Sequence, residues 1–174
     1  MVAVVTPIVE CRCAATFPAG LRDFDRRHAE LLGWHEIHSL VDSLTPEELL
    51  EPGYYSEGWT VRDLMAHLGA WLAEGGLLLE QIRAGTYREG ELDVEATNQR
   101  FFELMEGLPF DIVYVQGWAS RWRMLGVWRE LPEITDAAAG WLAKVGAQHY
   151  EEHLPRLREW VAELMDRHRS ESRR

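Results

Sequence analysis

The sequence predicts an all-α protein built as a four-helix bundle, and three observations point to this fold class. Over several long segments, apolar residues recur at spacings of three, four or seven, which is the period of an amphipathic helix. Pro and Gly residues separate these segments. A two-residue alternation is visible only at residues 111–115, a stretch too short and isolated to need a sheet. We expect four long helices, with one short helix in a long crossover between the second and the third.

The length and composition are those of one globular domain. The 174 residues lie within the usual range of about 100–200 for a domain, and a hydrophobic content of 47% supports a substantial core. Eighteen Lys and Arg residues against 29 Asp and Glu residues give a net charge of −11, and an acidic surface repels nucleic-acid phosphates. No run approaches the ~20 apolar residues that span a membrane. We therefore expect neither a nucleic-acid partner nor a membrane partner.

The N-terminal region predicts a cytoplasmic protein. Its two cysteines, Cys11 and Cys13, form a C-x-C pair, which is no disulfide framework and fits a reducing compartment. A metal site on this pair is a weak alternative, because only two thiols are present. No basic segment precedes the apolar residues 1–9, so no signal peptide is expected.

The first helix is predicted to follow an irregular N-terminal arm. Residues 1–22 contain two prolines and show no helical period, whereas the helical period begins at Asp23 and ends before Thr45-Pro46. The apolar positions of this helix are Phe24, Leu31, Trp34, Ile37, Val41 and Leu44. Residues 45–48 then predict a capped single turn.

The second helix has a strong start signal. Thr60 is an N-cap candidate with Asp63 at N3, which is a capping box, and Trp59 and Leu64 occupy the positions of a hydrophobic staple. This role makes capping the better account of the Asp63 carboxylate than catalysis. The helix is predicted to continue to about residue 84 despite two adjacent glycines at 75 and 76, which permit either a close helix approach or a kink.

The remaining elements complete the bundle. A polar link at residues 85–93 leads to a short helix at about 94–106, and a third long helix follows at about 110–130. The last helix is predicted to run from near Asp136 to about His168. The bundle domain is thus expected at 23–168, between the arm and a basic tail at 169–174.

Two histidines one helical turn apart are the sharpest chemical feature. His149 and His153 stand at i and i+4, so both imidazoles can face one metal ion. They interrupt an apolar stripe that should face the bundle interior, and buried ring nitrogens need partners. The stripe consists of Leu142, Val145, Leu157 and Trp160. The alternative is that both rings face solvent or pair with neighbouring carboxylates.

A metal site needs a third ligand, for which His67 is the best candidate. It lies two turns into the second helix, beside Leu64 and Leu68 on an apolar face. A lone histidine on such a face is more often a satisfied core residue, but here a second buried helix carries a pair. The rivals on the first helix are His28, His35 and His38, and His168 is discounted because it lies in the tail.

Four segments, in order along residues 25–165, resemble the DinB/YfiT-like superfamily. Residues 58–68 resemble its Gly-Trp-Ser/Thr-x-Lys/Arg-Asp-x-x-x-His-Leu start of the second helix, and residues 44–49 resemble its Leu-Thr-Pro-Glu-Glu-Leu turn. Asn98 with Phe101 resembles the crossover segment, and residues 149–154 resemble the His-Tyr-x-Glu-His segment of the fourth helix. The nearest branches are the ClbS/DfsB-like proteins and the mycothiol-dependent maleylpyruvate isomerase N-terminal-like proteins.

This resemblance implies a divalent metal, commonly zinc or nickel, held by one side chain of the second helix and two of the fourth. Carried onto this sequence, the ligands are His67, His149 and His153. The resemblance implies a metal-dependent transferase that uses a low-molecular-weight thiol such as mycothiol, or a hydrolase, acting on a small molecule. It also implies a homodimer. The arm at residues 1–22 falls outside the family pattern, and the further domain of the isomerases is not part of this chain.

Further candidates surround the predicted metal site. Glu152 precedes a ligand and is a candidate general base, with a solvent-facing helix position as the alternative. The candidate pocket residues are Trp34, His38, Trp71, Trp118, Trp122 and Tyr150. Any of these side chains can instead belong to the core, since Trp in a helical bundle is more often core than pocket wall.

Three other functions compete with a metal-dependent enzyme. Residues 149–153 match the H-x-x-E-H signature of inverzincin proteases, but that signature needs a downstream glutamate on a large α/β scaffold. A non-catalytic protein of the same fold could bind or sequester a small molecule in a Trp-rich interior. A structural dimer with incidental histidines would hold no metal.

Overall fold

The computed structural model describes residues 19–55, 58–90 and 92–171. Within these residues every regular element is helical, as predicted, and a short 3-10 turn at Glu48–Leu50 is the one non-α helix. The α-helices are α1 (Ala19–Val41), α2 (Val61–Arg83), α3 (Val94–Met105), α4 (Phe110–Arg129), α5 (Asp136–Val145) and α6 (Ala147–Glu171). The predictions for Cys11, Cys13 and most of the arm fall outside the described residues.

The helices form the predicted bundle. Helix α2 packs along α4, α1 packs along α6, and α5 lies against both α2 and α6. Helix α3 lies in the crossover between α2 and α4 and packs on α2. Because α5 and α6 are separated by Gly146 alone, together they occupy the place of the fourth long helix.

The apolar stripes that predicted the helices form the core. The interior is filled by large side chains from five of the helices, each of which contributes roughly 1.5–3 kcal/mol when fully buried. Those with less than 2% exposure include Trp34, Ile37, Leu64, Met65, Leu68, Leu72, Leu79, Met124, Leu142 and Leu157. No described helix is long and apolar enough to cross a membrane.

The start of α2 is as predicted. The Thr60 side chain accepts a hydrogen bond from the Asp63 backbone, and the Asp63 carboxylate accepts one from the Thr60 backbone at 2.9 Å. The helix then runs unbroken past its glycines. A Cβ on Gly75 would lie 2.5 Å from a methyl group of Val145, so this glycine permits a close approach of α5 rather than a kink.

The predicted capped turn after α1 also has reciprocal hydrogen bonds. The Thr45 backbone donates to the Glu48 carboxylate at 2.7 Å, and the Glu48 backbone donates to the Thr45 hydroxyl at 3.3 Å. The turn therefore closes the end of α1 and directs the chain into the loop before α2.

Three predicted boundaries were wrong. Helix α1 begins at Ala19 rather than Asp23, because a helix can extend beyond the apolar stripe that predicts it. The last helix is interrupted at Gly146, where a Cβ would lie 2.8 Å from the Leu142 carbonyl oxygen and 3.0 Å from Cγ of Glu30. Helix α6 continues through Pro155 to Glu171, past the predicted end at His168.

Candidate metal centre

Three imidazole rings from two distant helices meet at one point. Nε2 of His149 lies 2.9 Å from Nε2 of His67 and 3.2 Å from Nε2 of His153. One nitrogen from each ring lies within 4.8 Å of the other two. The structure thus brings together the three side chains that the sequence singled out, while metal binding by them stays a prediction.

Helix phase places these rings. The capping box fixes where α2 begins, and two turns later His67 faces the interior beside buried Leu64, Leu68 and Trp71. On α6, the spacing of four residues puts His149 and His153 on one face, in line with buried Leu157. The interruption at Gly146 places His149 in the first turn of α6, next to α5.

The three rings are neutral at physiological pH. Burial lowers the pKa of His149 to about 2, with the neighbouring His67 and His153 as further causes. Burial, followed by the proximity of His153, lowers the pKa of His67 to about 3. Burial lowers the pKa of His153 to about 4. Neutral imidazole keeps one nitrogen lone pair, which is the form that binds a metal ion.

The donor set and its spacing fit a divalent cation. Imidazole nitrogens are preferred ligands of zinc and nickel. Nitrogens at ~2.0–2.1 Å from a tetrahedral zinc ion are about 3.3 Å apart, close to the 2.9 Å and 3.2 Å seen here. A neutral ring carries only one proton, on Nδ1 or on Nε2. When the three protons lie on Nδ1, a shared cation would accept the three Nε2 lone pairs.

An open cavity of about 630 Å³ lies against the three rings. Of the predicted site residues outside the triad, Trp71 and Glu152 line it, and Glu152 is exposed. The sequence-based pocket prediction missed the other lining residues, which are Tyr55, Trp59, Val94, Glu95, Asn98 and Lys144. Trp59 and Asn98 belong to the recognised motifs, so a signal for these two was present.

Asn98 has a clear role in the wall of this cavity. Its side-chain oxygen accepts a hydrogen bond of 2.8 Å from Nε1 of Trp71. Since Asn98 lies on α3 and Trp71 on α2, the bond fixes the crossover helix beside the histidines. The motif similarity at Asn98 therefore coincides with a polar contact that shapes the cavity.

The other predicted pocket residues do not line this cavity. Trp34 and His38 are buried on α1, where they contact the half-buried Trp118 of α4 at ring-centroid distances of 5.1 Å and 4.8 Å. They fill the space between α1 and α4, whereas the triad lies between α2 and α6. Trp122 is 62% exposed on α4.

Tyr150 is likewise core rather than cavity wall. It is fully buried, and its hydroxyl donates to the Glu30 carboxylate at 3.1 Å. Burial raises the pKa of the Tyr150 hydroxyl well above its ordinary value, and the nearby Glu30 carboxylate adds to this effect. Tyr150 therefore stays protonated and acts as a hydrogen-bond donor inside the bundle.

The rival histidines do not join the triad. His35 is exposed, and Nε2 of His168 lies 3.3 Å from the Glu48 carboxylate at the surface. Across the described residues, the group of side chains spaced to hold a metal consists of three imidazoles without a carboxylate. An inverzincin site, which needs a glutamate, is therefore not favoured.

These features agree with the comparison to known families. The chain belongs to the mycothiol maleylpyruvate isomerase N-terminal domain family, whose model matches residues 31–174. The fold of this family is the DinB/YfiT-like helical bundle that the sequence resemblance implied.

A solved structure with a similar fold is an uncharacterised protein from Escherichia coli UTI89. It matches with a TM-score of 0.68 at 14% sequence identity, over 79% of this chain and 91% of that chain. At this identity the similarity concerns the fold alone. No curated protein matches the chain significantly.

Proposed function

We propose that this protein is a metal-dependent enzyme acting on a small molecule, as a low-molecular-weight thiol transferase or a hydrolase. The observation that carries the proposal is the meeting of three neutral imidazoles, His67, His149 and His153, at the edge of an open cavity. Membership of the family supports a metal-binding domain. The choice between the two reactions is part of the proposal.

Three protein ligands suit a catalytic site better than a structural one. Structural zinc sites use four protein ligands, whereas catalytic sites use three and keep a position for water or substrate. A bound zinc or nickel ion would supply Lewis acidity, which lowers the pKa of water or of a thiol held beside it. The cavity provides access to that position.

In the proposed transferase the reacting thiol comes from solution. The only cysteines in the sequence are Cys11 and Cys13, and neither belongs to the described cavity wall. The wall offers aromatic faces at Trp59 and Trp71, which exclude water from one side of a ligand. Lys144 and Glu95 add opposite charges at the same cavity.

Glu152 is the proposed general base. Its carboxylate belongs to an exposed side chain that lines the cavity directly before His153. A carboxylate at this position can accept a proton from a water or a thiol bound in the cavity. Glu152→Gln should therefore lower the rate of turnover while leaving the metal content unchanged.

The aromatic cavity wall also favours a second function, binding or sequestration of a small molecule without turnover. Tyr55, Trp59, Trp71 and Val94 are the apolar part of the wall. Such a surface binds a planar or apolar ligand through burial alone. A binder of this kind retains its ligand after metal removal, which separates it from the enzyme.

The first test is elemental analysis of the protein purified without a histidine tag. We expect stoichiometric zinc or nickel in the parent protein and none in the His67→Ala and His149→Ala variants. His35→Ala removes an exposed histidine and is the matched control, which should retain the metal. Retained metal in both triad variants would contradict the proposal.

The second test is a screen of thiols against small electrophiles and of esters and amides against water. Turnover that depends on added metal and is lost in His149→Ala supports the enzyme. Ligand binding without turnover, unchanged by a chelator, favours the sequestering protein. Light scattering in the same preparation tests the homodimer that we propose from the family resemblance.

A further inference from the structure

The Tyr55 side chain contacts one ring of the triad, and the function proposed above gives this contact no role. Its hydroxyl oxygen lies 3.1 Å from Nδ1 of His153, on the side of the ring opposite the meeting point of the Nε2 atoms. Tyr55 belongs to the loop between the 3-10 turn and α2, and its side chain lines the cavity. The two residues are 98 positions apart in the chain.

The loop that carries Tyr55 is anchored on α6. The Arg156 guanidinium donates to the backbone oxygen of Tyr54 at 2.6 Å and to that of Gly53 at 3.2 Å. The Tyr54 hydroxyl donates to the backbone oxygen of His153 at 3.4 Å. Backbone bonds from Gly53 and Tyr54 to the Trp59 oxygen close the loop. The position of Tyr55 is therefore tied to the helix that presents His153.

The Tyr55 ring is also held by its neighbours. It packs edge-on against Tyr54 at 4.6 Å and against Trp59 at 5.9 Å between ring centroids. Two aromatic contacts and an anchored backbone hold the Tyr55 hydroxyl beside Nδ1 of His153. The fold therefore fixes this contact.

Counting the imidazole protons gives this contact a role. A neutral imidazole carries one N–H, on either Nδ1 or Nε2. To offer three Nε2 lone pairs to one cation, each ring of the triad must carry its proton on Nδ1. For His153 the Tyr55 oxygen is the acceptor that this proton needs. Partners of this kind fix the tautomer and the orientation of a metal-binding ring.

We propose that Tyr55 is the positioning residue of His153. Its hydroxyl oxygen accepts the Nδ1–H of His153, so that the Nε2 lone pair points at the meeting point of the triad. The Tyr55 hydroxyl proton remains available to a ligand in the cavity. This inference rests on metal binding by the triad, as proposed above.

The adjacent tyrosine supplies a matched control. Tyr55→Phe removes the hydroxyl that contacts the His153 ring. Tyr54→Phe removes a hydroxyl from the same loop that contacts the His153 backbone and the Tyr55 side chain but not the His153 ring. Zinc affinity, measured by competition with a chromophoric chelator, should fall about 10–100-fold in Tyr55→Phe. In Tyr54→Phe we expect a change of less than about threefold, because the ring tautomer is untouched.

A spectroscopic readout separates positioning from general loosening of the loop. In the zinc-loaded parent, proton NMR should show a slowly exchanging ring N–H of His153, assigned by its through-space contact with the Tyr55 side chain. The signal should persist in Tyr54→Phe and exchange faster or vanish in Tyr55→Phe. Unfolding by urea establishes that both tyrosine variants are folded.

The outcomes distinguish this inference from the function on which it rests. A parent protein that binds no zinc or nickel overturns both. Metal binding by the parent with equal affinity in Tyr55→Phe overturns the role of Tyr55 alone. Equal weakening in both tyrosine variants, with the His153 N–H signal unchanged, also overturns it, because the loop then acts only as a scaffold.

Discussion

The carboxylate of Glu30 and the guanidinium of Arg121 form a buried, two-point ion pair between α1 and α4. Nε of Arg121 lies 2.7 Å from one carboxylate oxygen of Glu30, and Nη2 lies 2.6 Å from the other. Both side chains are at most 5% exposed. Since the Tyr150 hydroxyl donates to the same carboxylate, the pair also reaches α6 one residue beyond His149.

Breaking this pair should strongly destabilise the protein. Arg121→Met leaves the Glu30 carboxylate buried without its cation, and removal of one partner from a buried pair costs about 3–5 kcal/mol. The free energy of unfolding, measured by urea denaturation, tests this value. The same variant should weaken metal binding, because Tyr150 and its neighbour His149 lose a fixed support.

Arg123→Met is the control for this prediction. Arg123 lies two residues further along α4 and pairs with Glu80 at 3.0 Å, but its side chain is 66% exposed. Exposed pairs contribute about 0–1 kcal/mol. If the two arginine variants lose similar free energy of unfolding, the buried Glu30–Arg121 pair stabilises the protein no more than an exposed pair does.

Gly146→Ala should disturb the junction between α5 and α6. The added Cβ would lie 2.8 Å from the Leu142 carbonyl oxygen and 3.0 Å from Cγ of Glu30, and such overpacking costs about 1–3 kcal/mol. Gly140→Ala, in α5, meets nothing within 4 Å and should instead gain up to about 1 kcal/mol of helix stability. Thermal denaturation of both variants checks the opposite signs.

This junction also shows what the sequence could and could not predict. The glycines at 75 and 76 lie inside an unbroken helix, whereas Gly146 interrupts one. Both sites pack against a partner side chain, Val145 beside Gly75 and Glu30 of α1 beside Gly146, yet only Gly146 ends a helix. A tertiary contact of that kind has no local signal.

The triad was predictable because each of its members is fixed by local helix geometry. The cap at Thr60 sets the phase of His67, and a spacing of four residues aligns His149 with His153. Tyr55 lies in a loop without periodicity, so nothing in the sequence indicated its contact to His153. The apolar pattern around Trp34 and Trp118 predicts that they are buried but not between which helices. The structure places them away from the cavity.

Asn98→Ala should loosen the crossover helix from α2. The variant leaves Nε1 of buried Trp71 without its acceptor, and an unpaired buried donor costs about 1–3 kcal/mol. Gln99→Ala, on the exposed side of α3, loses only a surface bond to Glu103 and should change stability by less than about 0.5 kcal/mol. Urea denaturation measures both values, and Trp fluorescence reports the altered environment of Trp71. Equal stability of the two variants would mean that the Asn98–Trp71 hydrogen bond does not hold α3 against α2.

Acidification should destabilise the metal-free protein through its buried histidines. Burial lowers the pKa of His38 to about 4, even with Asp42 nearby to oppose the shift, and the triad has values of about 2 to 4. An unfolded histidine has its pKa near 6.5. Between about pH 6.5 and pH 4 the unfolded chain therefore binds more protons than the folded one. Stability is fully present above pH 6.5 and falls as the pH drops.

Each of these histidines contributes a slope of up to about 1.4 kcal/mol per pH unit in that window. Urea denaturation of chelator-treated protein at pH 7.5, 6.5 and 5.5 measures the combined slope. The His38 ring nitrogens have no hydrogen-bond partner among the described residues. His38→Gln removes one titrating group, so the stability of this variant should fall less steeply with pH, by up to about 1.4 kcal/mol per pH unit. Saturating zinc should make the loss steeper, because protons then also compete with the metal for the triad. A stability that is constant from pH 7.5 to 5.5 would mean that these imidazoles are not buried in neutral form.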